Sequence, residues 1–287
     1  MRNIFSLHRE LKERMYAHST YETFSIFDPK FRRIHKAQVR DRVLHHALHQ
    51  ALYPFFDRTF ISDVFSCRIG KGVHRVINRF RSFVYQVSKN HTRTAWVLKC
   101  DIKKFFENIQ HDTLLEILGR HIPDTDIMTL LDKIIRSFSV FPGRGLPLGN
   151  LTSQLFANVY MNEFDQFMKH ALKERYYIRY GDDFVILSPD KYHLSSLLFH
   201  IQKFLTIHLG LILHPQKVFI ETFASGVDFL GWIHFPDHRV LRTATKRRMM
   251  RRTAEHPTEE TLASYRGLLS HGNTFKLQEE LYRYEGS

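Results

Sequence analysis

The sequence predicts an α+β protein with about two lobes, and three observations predict it. Several long segments carry apolar residues at helical spacing, short runs of β-formers lie between turn signals, and two of those runs are joined by a Gly-Asp-Asp turn. With 287 residues, 43% hydrophobic and 25% charged, the chain can bury a sizeable core and is not a disordered polymer. Lysine and arginine number 42 against 29 acids, a net charge of +13 that favours a polyanionic partner, nucleic acid first. Its 19 histidines add further positive charge as the pH falls. Two cysteines, Cys67 and Cys100, exclude a disulfide framework and a Cys-rich zinc site, and point to a reducing, cytoplasmic setting. His8, Arg9, Glu10 and Lys12 break any apolar leader. The most apolar stretch, 194–213, is interrupted by His200, Gln202, Lys203 and His208, so it reads as an amphipathic helix and no membrane is expected.

In chain order, 1–20 is read as a helix, and 21–27 as a strand followed by the turn signal Asp28-Pro29 and a basic return strand over 32–36. Helical periodicity covers 41–56 and stops at Asp57. A loop over 66–72 leads to a basic helix at 73–89, carrying Arg75, Arg79 and Arg81. Residues 95–101 are rich in β-formers and read as a strand. Helices are expected at 111–120 and 125–137, a Gly/Pro-punctuated loop at 142–150, and a long helix over 151–174. Two short strands flank the Gly-Asp-Asp turn within 176–188, a helix spans 191–209, and short strands lie near 217–221 and 228–234. The last fifty residues carry Lys246-Arg247-Arg248 and Arg251-Arg252, then helical segments. No internal repeat or low-complexity linker divides the chain, so the lobes are expected to interlock.

The chemistry concentrates at Tyr180-Gly181-Asp182-Asp183, which places two carboxylates at a hairpin tip. Alone, such a turn is more often a solvated loop. Asp101 changes the weighting, because it ends or interrupts the apolar strand 96–100, an awkward place for an unpaired charge. If the strands are neighbours, three carboxylates converge and cannot all stay ionised unaided. Bound Mg²⁺ would resolve that conflict, and two such ions can clamp the oxygens of a phosphoryl transfer. His45 and His49 lie four apart on a helix, but with no third ligand evident they are read as surface histidines. Cys100 is read as a packed strand residue.

These residues resemble the catalytic motifs of a reverse transcriptase, and the resemblance covers nearly the whole chain. Asp101-Ile102-Lys103-Lys104-Phe105-Phe106 is similar to the first palm motif, the segment from Gly145 through Leu148-Gly149-Asn150 to Gln154 to the second, and Tyr180-Gly181-Asp182-Asp183 to the third. His208-Leu209-Gly210-Leu211 with Pro215-Gln216-Lys217 resembles the motif that follows, and Phe229-Leu230-Gly231-Trp232 the primer-grip region. Arg32 through Asp41-Arg42 resembles a fingers motif of bacterial members. Six motifs in order are far more specific than any one of them.

The resemblance implies a right-hand polymerase with fingers over 1–95, an antiparallel-sheet palm backed by helices over 96–236, and a small basic helical thumb over 237–287. It implies that Asp101, Asp182 and Asp183, with the backbone carbonyl of Ile102, hold two Mg²⁺ ions, Mn²⁺ being a possible substitute. Asp183 is the least firmly assigned of the three. The implied partners are an RNA template, a DNA or RNA primer and deoxynucleotides. Arg32 is the candidate grip on the incoming triphosphate, because a guanidinium binds phosphate oxygens bidentately; a solvated strand face is the competing reading. Phe106 is the candidate steric gate against a ribose 2′-OH, one of Phe105 and Phe106 being a core aromatic. Leu148, Gly149 and Lys217 complete the expected nucleotide site. Lys71, Arg75, Arg79, Gln154, Gly231, Trp232 and Lys246-Arg247-Arg248 are expected along template and primer, with salt-dependent affinity.

Leu148 stands where many reverse transcriptases carry Gln, and Gln154 where many bacterial ones carry Pro. That pattern is similar to the enzymes of diversity-generating retroelements, which copy a template RNA with errors at adenines. The subtype implies a basic accessory protein. The absence of a further maturase or nuclease segment in the sequence argues against a full group II intron protein. A retron-like or antiphage-defence enzyme is the runner-up, and a non-catalytic nucleic-acid scaffold is the reading from another class.

Overall fold

The computed structural model describes residues 2–27 and 31–282. The expected Asp28-Pro29 turn lies outside the described residues. In chain order the elements are α1 (Arg2–Lys12), β1 (Glu22–Ile26), β2 (Arg32–Lys36), α2 (Val39–Thr59), α3 (Val73–Val87), β3 (Trp96–Asp101) and α4 (Phe105–Asn108). Then come α5 (His111–Gly119), α6 (Thr125–Arg136), α7 (Leu151–Gln166), β4 (Tyr177–Tyr180), β5 (Asp183–Ser188) and α8 (Lys191–Leu209). The rest comprises β6 (Phe219–Thr222), β7 (Val227–Phe229), β8 (Trp232–His234), β9 (Arg239–Leu241), α9 (Thr243–Glu255), α10 (Glu259–Leu269) and α11 (Phe275–Tyr282). The α+β expectation holds: β1 pairs β2, a four-stranded sheet runs β4-β5-β3-β6, and β7-β8-β9 form a third sheet.

Contacts divide the chain into two compact units, each assembled from three separate segments. The first comprises Met1–Lys71, Cys100–Phe184 and Ser196–Val218. Its axis is α7, buried on nearly every face, with the polar Thr152, Ser153, Asn158, Asn162 and Asp165 among its buried residues. Helices α2 and α5 pack against it. A π turn at Phe167–Ala171 prolongs α7, so the long helix expected over 151–174 is a helical run of two geometries that ends at Ala171. Helix α2 continues through Pro54 to Thr59, beyond the expected stop. It also corrects one reading: His45 is a core residue, not a surface one, at 2% exposure. Its Nδ1 lies 3.1 Å from Thr152 Oγ1 and its Nε2 3.2 Å from His18 Nε2. Burial, then His18, pushes its pKa down to about 4.

The second unit comprises Gly72–Lys99, Val185–Ser195 and Phe219–Ser287. Here β3 pairs antiparallel with β6, from Trp96↔Thr222 to Lys99↔Phe219. β7 and β8 form a hairpin with Phe229 opposite Trp232. Both turn residues have positive φ, +51° at Leu230 and +86° at Gly231, the requirement of a type I′ turn. Ile77, Trp232, Leu241, Met249, Leu262 and Leu269 are among the residues of this unit's core.

Candidate active site

The candidate residues that the structure brings together all belong to the first unit. β4 and β5 meet at Gly181-Asp182, with φ +67° at Gly181 and no positive φ at Asp182. Glycine at the first central position fits a II′ turn. Beside it runs the end of β3 and the chain that follows: the Ile102 amide donates to the Asp182 carbonyl at 3.2 Å, and the His214 amide to the Asp101 carbonyl at 2.7 Å. Backbone bonds therefore fix Asp101 and Asp182 side by side.

Their electrostatics follow from that placement. Asp101 is buried and accepts an ion pair from Lys217 Nζ at 2.7 Å. The Asp182 carboxyl is raised above the usual carboxylate range, first by burial and then by the Asp101 charge, while Lys217 and Arg32 pull it down. Arg32 and Lys217 thus act on the same carboxylate, although the sequence places them 185 positions apart. Asp183 opens β5, half-buried. Among the described residues no group of three or more His, Cys, Asp or Glu side chains is gathered to hold a metal. Of the three expected carboxylates, Asp101 and Asp182 act on one another, and Asp183 follows Asp182 directly in the chain. A pair suits Mg²⁺, which takes one or two protein carboxylates and completes its shell with water and phosphate oxygens.

Next to Arg32 opens a cavity of about 400 Å³, lined by Phe31, Arg33, His35, Phe106, Phe138 and Leu148 among others. Lys104 adopts φ +49°, turning the chain out of the strand direction into the single turn α4. Phe105 then faces the core at 4% exposure while Phe106 lines the cavity, their rings edge to face at 5.4 Å. The 142–150 loop is pinned to β2 from both sides. The His35 amide donates to the Leu148 carbonyl at 2.9 Å. Asn150 accepts from the Ala37 amide and donates to the His35 carbonyl. At Gly149, with φ +110°, a Cβ would meet Ile34 at 2.8 Å, so the loop approaches the strand as only glycine permits.

One residue of this site escaped the sequence reading. Arg179 is fully buried beneath the Gly-Asp turn. Its Nε and Nη2 grip Asp165 bidentately at 2.8 and 2.6 Å, and its Nη1 donates to the Gly181 carbonyl at 3.0 Å and to Asn158 Oδ1 at 3.2 Å. Tyr177 donates to the same Asp165 at 2.6 Å. Arg179 carries the signal that singled out Asp101, a charge inside an apolar strand.

The remaining expected residues are distributed otherwise. Lys71, in the first unit, gives its ammonium to the Ser62 carbonyl at 2.7 Å and lies over the Phe65 ring. Gln154 is exposed on the first turn of α7. Arg75, Arg79, Gly231, Trp232, Lys246, Arg247 and Arg248 lie in the second unit. The Trp232 side chain is a correction: at 1% exposure it packs in the unit's core, so its indole presents no face to a strand. Arg247 on α9 is exposed.

Residues 27–234 match the family model described as reverse transcriptase (RNA-dependent DNA polymerase). The chain belongs to the reverse transcriptase family. It is 27% identical over 261 residues to Protein YkfC of Escherichia coli (strain K12), covering 77% of this chain and 66% of that protein. Over 79 residues it is 32% identical to the group II intron-encoded protein LtrA of Lactococcus lactis subsp. cremoris, covering 25% of this chain and 13% of that one. Among solved structures, apo telomerase from Candida tropicalis superposes with a TM-score of 0.59 at 10% identity, over 77% of this chain and 48% of that chain. Telomerase from Candida albicans, in complex with a TWJ fragment of telomeric RNA, gives 0.54 at 13% identity, over 77% and 46%. Those identities speak to fold alone, and the fold is that of a right-hand polymerase. This member of the family spans at most two thirds of the length of each of these relatives. Among its described residues no helix is long and apolar enough to cross a membrane.

Proposed function

We propose that this chain is an RNA-templated DNA polymerase that joins a deoxynucleotide to a primer 3′-OH. The observation that carries the reading is the Asp101–Asp182 pair beside a cavity whose wall includes both Arg32 and Phe106. Arg32 connects the two halves, because it lines the cavity while its charge reaches Asp182. Divalent cations, when bound by Asp101, Asp182 and the Ile102 carbonyl with Asp183 nearby, supply charge neutralisation at the transferring phosphate. The chain's own groups do the rest. Lys217 holds the Asp101 carboxylate in place and is free to turn to a phosphate once that carboxylate has another cation. Arg32 presents a guanidinium fork to the triphosphate. Phe106 offers a ring where a 2′-OH would need a polar partner, which favours deoxynucleotides.

Residues 1–95, 96–236 and 237–287 serve in this reading as fingers, palm and thumb. Arg75, Arg79, Gln154, Gly231 and Lys246 to Arg248 track template and primer phosphates, in salt-dependent binding. The subtype we favour is the diversity-generating retroelement, with a basic accessory protein and a cytoplasmic setting. Leu148, on the cavity wall, is the residue that supports it, since an aliphatic side chain cannot hydrogen-bond the incoming sugar and leaves base-pair geometry more loosely held. Extension of a DNA primer on a defined RNA with Mg²⁺ and four deoxynucleotides, followed by sequencing, tests both levels, with Asp182→Asn as the blank. Copies with errors concentrated opposite template adenines, lowered by Leu148→Gln, support the full reading. Accurate copies keep the polymerase and replace the subtype with the retron or defence class. No product above the blank overturns the polymerase.

A further inference from the structure

The second unit contains a cavity that the polymerase reading does not use. It measures about 260 Å³ and is walled by α3, by β8 and the chain leading to β9, and by the 270–273 loop before α11. That is below the roughly 300–1,000 Å³ of sites for drug-sized ligands, so its occupant is a compact group. The wall is basic: Arg81 and Arg239 carry its positive charge, with the imidazoles of His234, His238 and His271 beside them, against the single carboxylate of Asp237.

The positive groups are held against one another rather than neutralised. Arg239 donates its Nε to the His271 carbonyl and lays its guanidinium 5.5 Å from the Trp232 ring. Among the described residues neither Arg239 nor Arg81 pairs with a carboxylate. Burial and then the Arg81 charge pull the Arg239 guanidinium down from its ordinary value. His271 is stacked on His74 with ring centroids 3.6 Å apart, and is pulled down by burial, then by His74 and Arg239. Gly272 keeps the wall closed, since a Cβ there would overlap the Trp232 ring. Like charges crowded into a cavity raise the energy of the empty state, and an anion lowers it. Planar guanidinium forks and imidazole N–H groups match the oxygens of a phosphate. His234 is excluded as a charged partner, because burial first, offset in part by its hydrogen bond to the Phe229 carbonyl, pushes its pKa down to about 4.

We propose that this cavity is a phosphate-binding site in which Arg81, Arg239, His238 and His271 receive a single phosphate group. The group can belong to a free phosphate compound or to the backbone of a nucleic-acid strand, and the chemistry of recognition is the same. Calorimetric titration with inorganic phosphate, without divalent cation, tests it. One site is expected in the wild type. Arg81→Ala, an exposed position whose truncation leaves the core intact, is expected to weaken binding by roughly tenfold or more, the loss of a charge-assisted hydrogen bond. Arg251→Ala, an equally exposed arginine outside the cavity, is expected to leave it unchanged. Competition by an abasic deoxyribose-phosphate oligomer assigns the group to a strand, and competition by sugar monophosphates alone to a free compound. Absence of saturable binding, or equal weakening in Arg81→Ala and Arg251→Ala, overturns the proposal. Asp182→Asn is expected to bind phosphate as the wild type does, so failure here and failure of the polymerase reading are told apart.

Discussion

Phe106 and Phe105 are chemically identical neighbours with different fates, and the difference lies in one backbone angle. Lys104 at φ +49° ends the extended direction of β3, and the helical turn that follows sends one ring to the core and the other to the cavity. Phe106→Ala removes the cavity ring and its edge contact with Phe105 but leaves the core ring of Phe105 in place, so ribonucleotide incorporation is expected to rise by on the order of tenfold to a hundredfold. Competition between a ribonucleotide and its deoxy form in primer extension measures this, and unchanged discrimination sinks the gate. Arg179 tests the opposite case, a residue that touches no substrate. Truncating one partner of a buried ion pair costs about 3–5 kcal/mol, because the other charge is left unpaired. Arg179→Met is therefore expected to lower the urea midpoint sharply, and Arg179→Met with Asp165→Leu to recover much of it. Polymerase activity is expected to stay lost in the double variant, since the Gly181 carbonyl still lacks its donor. Recovery of both would reduce Arg179 to a packing role. The charge of Arg179 was visible within its apolar strand, but its partner Asp165 sits 14 positions earlier on a helix, and no local pattern links them.

At the scale of elements, periodicity located the long helices and failed where segments are too short to show a period. α5, α6 and α8 begin where apolar spacing begins, within a residue of expectation. The four residues of α4 and the three of β9 carry no readable period, so neither was expected. The His45 environment was equally hidden, because it depends on α7 packing over α2, a tertiary fact. The β7–β8 hairpin was hidden as well, because 228–234 reads as one short strand in the sequence while Leu230 and Gly231, both at positive φ, turn it back on itself. Gly231 at φ +86° has only Thr245 Oγ1 within 4 Å of a hypothetical Cβ, at 3.8 Å, so space is not the constraint. The cost of Gly231→Ala is then conformational alone, about 1–2 kcal/mol. Urea denaturation is expected to show that loss. A cost near zero would mean that the hairpin does not hold its type I′ geometry, and a much larger one that the turn is packed against a neighbour.

For the molecule as a whole, the decisive feature is positive charge that folding cannot afford to increase. The chain carries +13 before any of its 19 histidines is protonated. Two of those histidines, His45 in the first unit and His234 in the second, are buried at 2% and 4% exposure. Both have pKa values pushed down to about 4, chiefly by burial, against 6.5 for an unburied imidazole. Below pH 6.5 the unfolded chain takes up protons at these sites while the native protein does not. Stability is thus complete above pH 6.5 and falls progressively as the pH drops towards 4. A depression of that size corresponds to roughly 3 kcal/mol for each histidine once both values have been passed. The sign is opposite to that of a histidine paired with a carboxylate, which would gain stability from acid. Urea midpoints are therefore expected to decline from about pH 7 to about pH 5, before the carboxylates titrate. His45→Gln keeps an amide to meet Thr152 but cannot take up a proton, so it is expected to remove part of the slope while lowering the midpoint at neutral pH. A midpoint that is flat over this window, or a slope unchanged by His45→Gln, would show that the imidazole reaches water and that the core around α2 and α7 opens more readily than its packing implies.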